Sequence, residues 1–379
     1  MLSANTSKHI NCVMMAKKRI LFITPLPPPV HGSAMMSQYI KESKLINGAF
    51  DCDFVNLSTS RRMDEIGKKP LLKMVRFVWA YCLVLEKLIH RRYDLCYLAI
   101  TCHGIGFLKD APFVLLCKLF GKKIVIHQHN KGMSRDVERW PYRWLLPLVY
   151  RNTKVILLSW RLYPDIESVV RKEQVLICPN GIPEETHRMK ITSHTIPCIL
   201  FLSNLLIDKG VLTLLDACEM LKSKGNKIIC RFVGGETKDI DSRMFAEETK
   251  KRRIDDCVFY VGKKYGKEKA EAFGDADIFV QPTFDDCFPL TVLEAMQYKL
   301  PIVATSQGAI AEMVEHGKTG LICQTKDAAD LAGKLKVLLD NPQLRLQYGE
   351  AGYECFKSRY TLDRFEKCMV SCLSFCVNE

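Results

Sequence analysis

Two acids, Asp286 and Glu294, flank a helix start eight positions apart, and this spacing carries the first recognisable chemistry in the chain. Pro289 suits the first helical position, where a missing N–H costs nothing. The helix it opens is expected to run to Lys299, ahead of Pro301. Its first N–H groups, those of Leu290 and Thr291, then lack intrahelical partners. With the helix dipole they form a seat for an anion such as a diphosphate. Glu294 falls one turn on, on the face of Leu290, and its side chain leans back toward the helix start. A carboxylate repels phosphate, so Glu294 suits sugar hydroxyls, and Asp286 in the preceding loop suits a second set. Without their surroundings the same acids would be a loop acid and a solvated helix acid.

The elements around them decide between those readings. Ile278-Phe279-Val280 is a short β-prone run closed by Gln281-Pro282-Thr283, and Pro301 to Thr305 reads as a second buried strand. The acidic loop therefore leaves the carboxyl end of a strand, where open α/β sheets bind ligands. Earlier in the chain, Lys18 to Thr24 reads as a parallel strand. It leads through Pro25 to Ser33 into a helix over 34–43, with Gly32 permitting close ligand approach and Ser33 as the expected cap. Gly121 to Asn130 is a strand that places His127 and His129 on one side at its carboxyl end. Neither has a third metal ligand at useful spacing, and either could be a core or surface histidine. Cys198 to Ser203 opens a second series of strands, followed by the loop from Asn204 to Gly210, which contains Lys209. Three DxD triplets, at Asp51, Asp239 and Asp275, read as chance matches.

Asp286 and Glu294, followed by Ala295-Met296, Pro301 to Thr305, Gly308, Glu312 and Gly317-Lys318-Thr319-Gly320, resemble the family-4 retaining glycosyltransferases. The resemblance extends over about 18–370, with its specific motifs in 198–320. It implies the GT-B fold: two doubly wound, Rossmann-like α/β domains facing across a cleft. The expected division is a leader at 1–16, an acceptor-side domain at 17–190 and a donor-binding domain at 191–356, with 357–379 crossing back. The resemblance also implies transfer of a sugar from a UDP- or GDP-sugar, with no cofactor and no required metal. Gly32, Asn204, Lys209, Phe288, Leu290, Thr291 and Glu294 would bind the donor. Asp286 and Lys209 would serve catalysis beside it, with His129 at the reacting sugar. Lys263-Lys264-Tyr265 would frame the base. Two positions depart from the family pattern: Asp286 stands for Glu, and Asn204 stands where Arg usually supplies a cation. A sugar-nucleotide epimerase, a phosphorylase or a non-catalytic sugar-nucleotide-binding subunit remain alternatives on the same fold.

Charge and composition narrow the partners. Residues 1–190 hold 30 Lys and Arg against 15 Asp and Glu, whereas 191–379 hold 25 against 27. No nucleic-acid motif accompanies the basic half, so its expected partners are a lipid-linked or glycan acceptor and an anionic membrane surface, not nucleic acid. Pro70 to Arg92 is a helix apolar nearly all round, and Arg135 to Asn152 is amphipathic, aromatic and interrupted by prolines. Both segments could be domain core or membrane-facing. Arg61, Arg62, Lys68 and Lys69 add charge in the loop before the first. Seventeen cysteines without a CxxC pair fit a reducing cytosol, so the expected location is cytoplasmic, peripheral at the inner membrane face.

Overall fold

The computed structural model describes residues 17–58, 70–185 and 195–379, except for the side chain of Pro70. The expected leader, the basic loop with Arg61, Arg62, Lys68 and Lys69, and most of the expected linker lie outside these residues. Two six-stranded sheets, all parallel, organise the described chain. In the first half the elements run β1 (Arg19–Thr24), α1 (Gly32–Glu42), α2 (Lys44–Ala49), β2 (Asp51–Asn56), α3 (Pro70–His90), β3 (Leu95–Leu98), α4 (Gly104–Leu119), β4 (Ile124–Gln128), α5 (Met133–Asp136), α6 (Tyr142–Tyr150), β5 (Lys154–Leu157) and β6 (Val175–Ile177). The second half runs β7 (Cys198–Leu202), α7 (Val211–Ser223), β8 (Ile229–Val233), α8 (Ser242–Lys251), β9 (Val258–Tyr260), α9 (Gly266–Gly274), β10 (Ile278–Gln281), α10 (Leu290–Gln297), β11 (Ile302–Thr305), α11 (Ile310–Met313) and β12 (Gly320–Cys323). Three helices close it: α12 (Ala328–Asp340), α13 (Pro342–Arg359) and α14 (Leu362–Asn378).

The sheet orders are β2-β1-β3-β4-β5-β6 and β12-β11-β10-β7-β8-β9. Both are doubly wound Rossmann-like layers, and together they form the GT-B fold. Helices cover both faces of each sheet, which is why strands such as β3 and β10 are buried at every position and read as unbroken apolar runs. The last helix, α14, returns to the first sheet. Its Phe365, Met369 and Leu373 join a core with Ile20, Phe22 and Tyr97. Where the chain crosses between sheets, the two passages are stitched together: Ile182 N–H donates to Tyr360 O at 3.0 Å, and Leu362 N–H to Ile182 O at 2.8 Å. Gly181 lies so close to the Thr361 carbonyl that any side chain would collide with it.

Local differences from the sequence reading have physical causes. The first helix is capped by His31, whose ring accepts from Ala34 N–H, because the Ser33 hydroxyl turns onto His31 Nδ1 at 3.1 Å. Helix α4 begins at Gly104, and burial of Phe107 near its start outweighs the cost of Pro112 in its interior. The stretch from Arg135 breaks into α5 and α6 around Pro141. Among the described residues no helix is long and apolar enough to cross a membrane.

Candidate active site

The carboxyl ends of the two sheets open on one cleft of about 580 Å³. From the first half it is lined by His31 and Gly32, which follow β1, and by His129, which follows β4. From the second it is lined by Asn204, Asp286, Phe288, Leu290, Thr291 and Glu294, together with Lys269 of α9. A smaller adjoining cavity of about 220 Å³ lies wholly in the first half, between β1, β3 and β4, and shares His31 and His129 with the cleft.

The acids expected to bind hydroxyls both hold a lysine. Asp286 Oδ2 lies 2.7 Å from Lys209 Nζ, and the amide of Cys287 donates to its Oδ1 at 3.0 Å. Glu294 Oε1 lies 2.6 Å from Lys269 Nζ, while Oε2 is enclosed without a partner. Burial pushes the Glu294 carboxyl above its usual range, and Lys269 only partly offsets this. An enclosed carboxylate oxygen with no donor is costly unless a ligand supplies one. Pro289 is the cap rather than the first residue of α10, so Leu290 and Thr291 provide the first amides of the helix, between the two acids. Phe288 packs edge-on to Tyr360, 6.0 Å between ring centres, and ties this loop to the inter-sheet crossing.

Across the cleft, His127 and His129 do share a side, with ring centres 4.0 Å apart. His127 is a core histidine held by the Tyr97 hydroxyl at 2.6 Å from its Nδ1. Both ring nitrogens of His129 are enclosed without partners. Burial lowers its pKa to about 3, so the ring is neutral and can donate from one nitrogen and accept at the other. Gly32 opens α1 with nothing within 4 Å of where a side chain would project, leaving room for a ligand against the backbone.

Asn204 does not stand in for a cation. Its Oδ1 accepts from Gly235 N–H at 3.0 Å and braces the loop after β8. Nearby lies Lys263, expected from the resemblance to help frame the base, whose packing on this loop the sequence did not indicate. Lys263, in the loop after β9, folds its aliphatic stem across Gly235, where only a missing side chain leaves space. It has no carboxylate partner among the described residues, unlike Lys209 and Lys269.

Polar contacts hold the two halves together over the cleft. Asp285 pairs with Lys131 at 3.1 Å and Arg135 at 2.7 Å, and these two cations keep its carboxyl below the usual range against the effect of burial. Lys131 also donates to Gln307 at 3.1 Å, and the Ser159 hydroxyl meets Glu312. Of the DxD acids, Asp53 is held by Lys87, Arg91 and Tyr93 on the far edge of the first sheet.

Residues 184–355 match the family described as glycosyl transferases group 1. Over 152 residues, 40% of this chain, the sequence is 32% identical to the N,N'-diacetylbacillosaminyl-diphospho-undecaprenol alpha-1,3-N-acetylgalactosaminyltransferase of Campylobacter jejuni, covering 37% of that protein. Over 244 residues, 62% of this chain, it is 27% identical to the amylovoran biosynthesis glycosyltransferase AmsK of Erwinia amylovora, covering 57% of it. The chain thus spans between a third and three fifths of these curated relatives. The fold is shared with Anabaena Alr3699/HepE, solved in complex with UDP, at a TM-score of 0.73 over 94% of this chain and 99% of that one, with 16% identity.

Proposed function

We propose, for a chain whose residues 184–355 belong to the glycosyl transferases group 1 family, that it moves a sugar from a nucleotide-diphosphate donor to a glycan or lipid-linked acceptor. The donor is a UDP- or GDP-sugar, and the anomeric configuration is retained. The observation that carries this reading is that Asp286 and Glu294 line one cleft on either side of the first amides of α10, with Lys209 held against Asp286 at 2.7 Å. The Leu290 and Thr291 amides and Lys209 take the departing diphosphate, whose charge they stabilise as the bond to the sugar breaks. Glu294 offers its free oxygen to hydroxyls of the nucleotide sugar, and Asp286 to those of the transferred sugar. His129 faces the reacting sugar from the opposite sheet. No protein nucleophile is assigned.

Polysaccharide assembly at the inner face of the membrane is the setting we infer. It is supported by the names of the relatives, one acting in amylovoran biosynthesis and one on a diphospho-undecaprenol acceptor. The basic first half, which carries the smaller cavity, points the same way. Purified protein incubated with UDP- and GDP-sugars should release nucleoside diphosphate, faster when extracted lipid-linked glycans are added. Tight nucleotide binding without turnover under any of these conditions would replace the enzyme with a sugar-nucleotide-binding subunit.

A further inference from the structure

Helix α3 is apolar on two faces, and only one of them is used. Phe77 and Tyr81 pack on Phe113 of α4, with ring centres 5.4 and 5.6 Å apart, and Ala80, Val84 and Leu88 are buried below them. The other face carries Leu71, Met74, Val75, Val78 and Trp79, which are 78%, 60%, 58%, 49% and 65% exposed. Their spacing, at i, i+3, i+4, i+7 and i+8, is that of a continuous helical stripe, which a surface helix ordinarily turns inward. A second apolar surface occurs on and just before α6. Leu146, Val149 and Tyr150 are buried, while Trp140 and Trp144 project into solvent at 83% and 71% exposure.

The topology brings these surfaces to one edge. Helix α3 leads into the amino end of β3, so it begins at the carboxyl edge of the sheet. Helix α4 leaves the carboxyl end of β3 and begins at that same edge, with Ile105 exposed. Phe107 near the start of α4 and Tyr142 at the start of α6 lie 6.0 Å apart between ring centres, which brings the third helix start alongside. This is also the edge at which the 220 Å³ cavity opens, lined there by Ile100, Thr101 and Lys109. The charge around the apolar side chains is mainly positive, although Arg139 is paired with Asp136 at 2.9 Å and Lys109 with Asp110 at 3.2 Å. From Pro70 to Leu85 and from Arg139 to Arg151 the chain has no acid, but it has Lys73, Arg76, Arg139, Arg143 and Arg151. The Arg143 guanidinium lies 5.8 Å from the centre of the Trp144 ring, at the level of the indole.

We propose that the starts of α3, α4 and α6 form a rim that docks on an anionic lipid leaflet and seats the mouth of the smaller cavity at the membrane surface. This extends the reading of a lipid-linked acceptor, on which it rests, by naming the surface that meets the bilayer. Exposed tryptophans and aliphatic side chains enter the interfacial layer, where aromatic rings are favoured, and the surrounding cations meet anionic headgroups. A protein partner matched to this rim would need an apolar surface ringed by acids. A bilayer supplies the apolar layer and the negative charge together.

Vesicle co-sedimentation of the full chain tests the proposal, using phosphatidylcholine with and without phosphatidylglycerol. Binding is expected only with the anionic lipid, and it weakens as salt rises from about 0.05 to about 0.5 M and shortens the Debye length. Trp79→Ser combined with Trp144→Ser is expected to lower binding at least roughly tenfold. UDP and GDP binding, followed by thermal shift, should stay unchanged, which also shows that the variant is folded. In the wild type, tryptophan emission should shift to the blue and be quenched by brominated phosphatidylglycerol, a readout that needs no variant. Absence of binding at low salt, equal binding to neutral vesicles, or a dimer in solution that the double variant dissolves would each overturn the rim. Loss of nucleotide binding and turnover in a wild type that still sediments with vesicles would overturn the donor reading and leave the rim standing.

Discussion

Replacing Glu294 by glutamine should move stability and donor affinity in opposite directions. The side chain keeps its shape, and its Oε1 still accepts from Lys269, now 2.6 Å away. What changes is a negative charge whose second oxygen is enclosed with no partner. Burial raises the Glu294 carboxyl above its ordinary 4.5 in the folded protein, so between that value and neutrality the folded state holds its proton more tightly than the unfolded chain. Stability from this group is complete below the unfolded value and is lost as pH rises through the folded one. At pH 7 the ionised acid is therefore a burden, and Glu294→Gln should raise the melting temperature of the unliganded protein. The gain should vanish as pH falls toward 4.5. Lys269 is only part-buried and can turn to water, so the large cost of orphaning a buried charge does not apply. Donor binding should weaken by about 1–3 kcal/mol, because charge-assisted bonds to hydroxyls become neutral ones. This corresponds to roughly 5–150-fold in Kd. Calorimetric melts at pH 7 and about pH 4.5, with titration of UDP- and GDP-sugars, measure both effects. A lower melting temperature at pH 7 with unchanged affinity would refute the assignment.

Lys263→Ala should weaken nucleoside diphosphate binding about tenfold, as expected for removing one charge-assisted contact. Adding Asn204→Arg to that variant should restore part of the loss; fluorescence titration with UDP and GDP would show whether the two positions exchange charge. His129 and His127 are both held below their ordinary 6.5 by burial, so the unfolded chain takes up protons that the folded one refuses. Stability should fall as pH drops below about 6.5, and His129→Asn should make that fall shallower in chemical denaturation between about pH 7 and pH 5.

The stretch from Ile278 to Thr305 was legible because its instructions are local. A β-prone run, a proline before a helix and a second proline after it produce β10, α10 and β11 within a residue or two of expectation. The partners of its acids were not legible. Lys209 and Asp286 are 77 positions apart, and Lys269 and Glu294 are 25 apart, so only the folded sheet order brings them together. The same holds for Lys263 over Gly235, which depends on β8 lying beside β9. For α3, hydropathy showed apolar residues nearly all round, but it could not say which face the sheet would take. His31 takes the place of Ser33 as the cap because α1 begins at Gly32, which puts Ser33 inside the first turn with its hydroxyl on the His31 ring.

The pairing of both site carboxylates with lysines bears on how such a cleft can bind an anion at all. Asp286 and Glu294 would otherwise repel a diphosphate seated on the amides between them. Lys209 and Lys269 neutralise them in advance, so each acid presents hydroxyl-accepting oxygens with little net charge. Lys209 then meets the diphosphate with part of its charge already shared with Asp286, so the helix amides and a cation without an acid of its own have to supply the rest. Lys131 and Arg135 are committed to Asp285 and to holding the halves together. Lys263, over Gly235 and beside Asn204, has no acid of its own among the described residues, and we propose it for the task. An asparagine at position 204 braces the loop on which that lysine rests, and the loop after β9 would then carry the charge expected at 204.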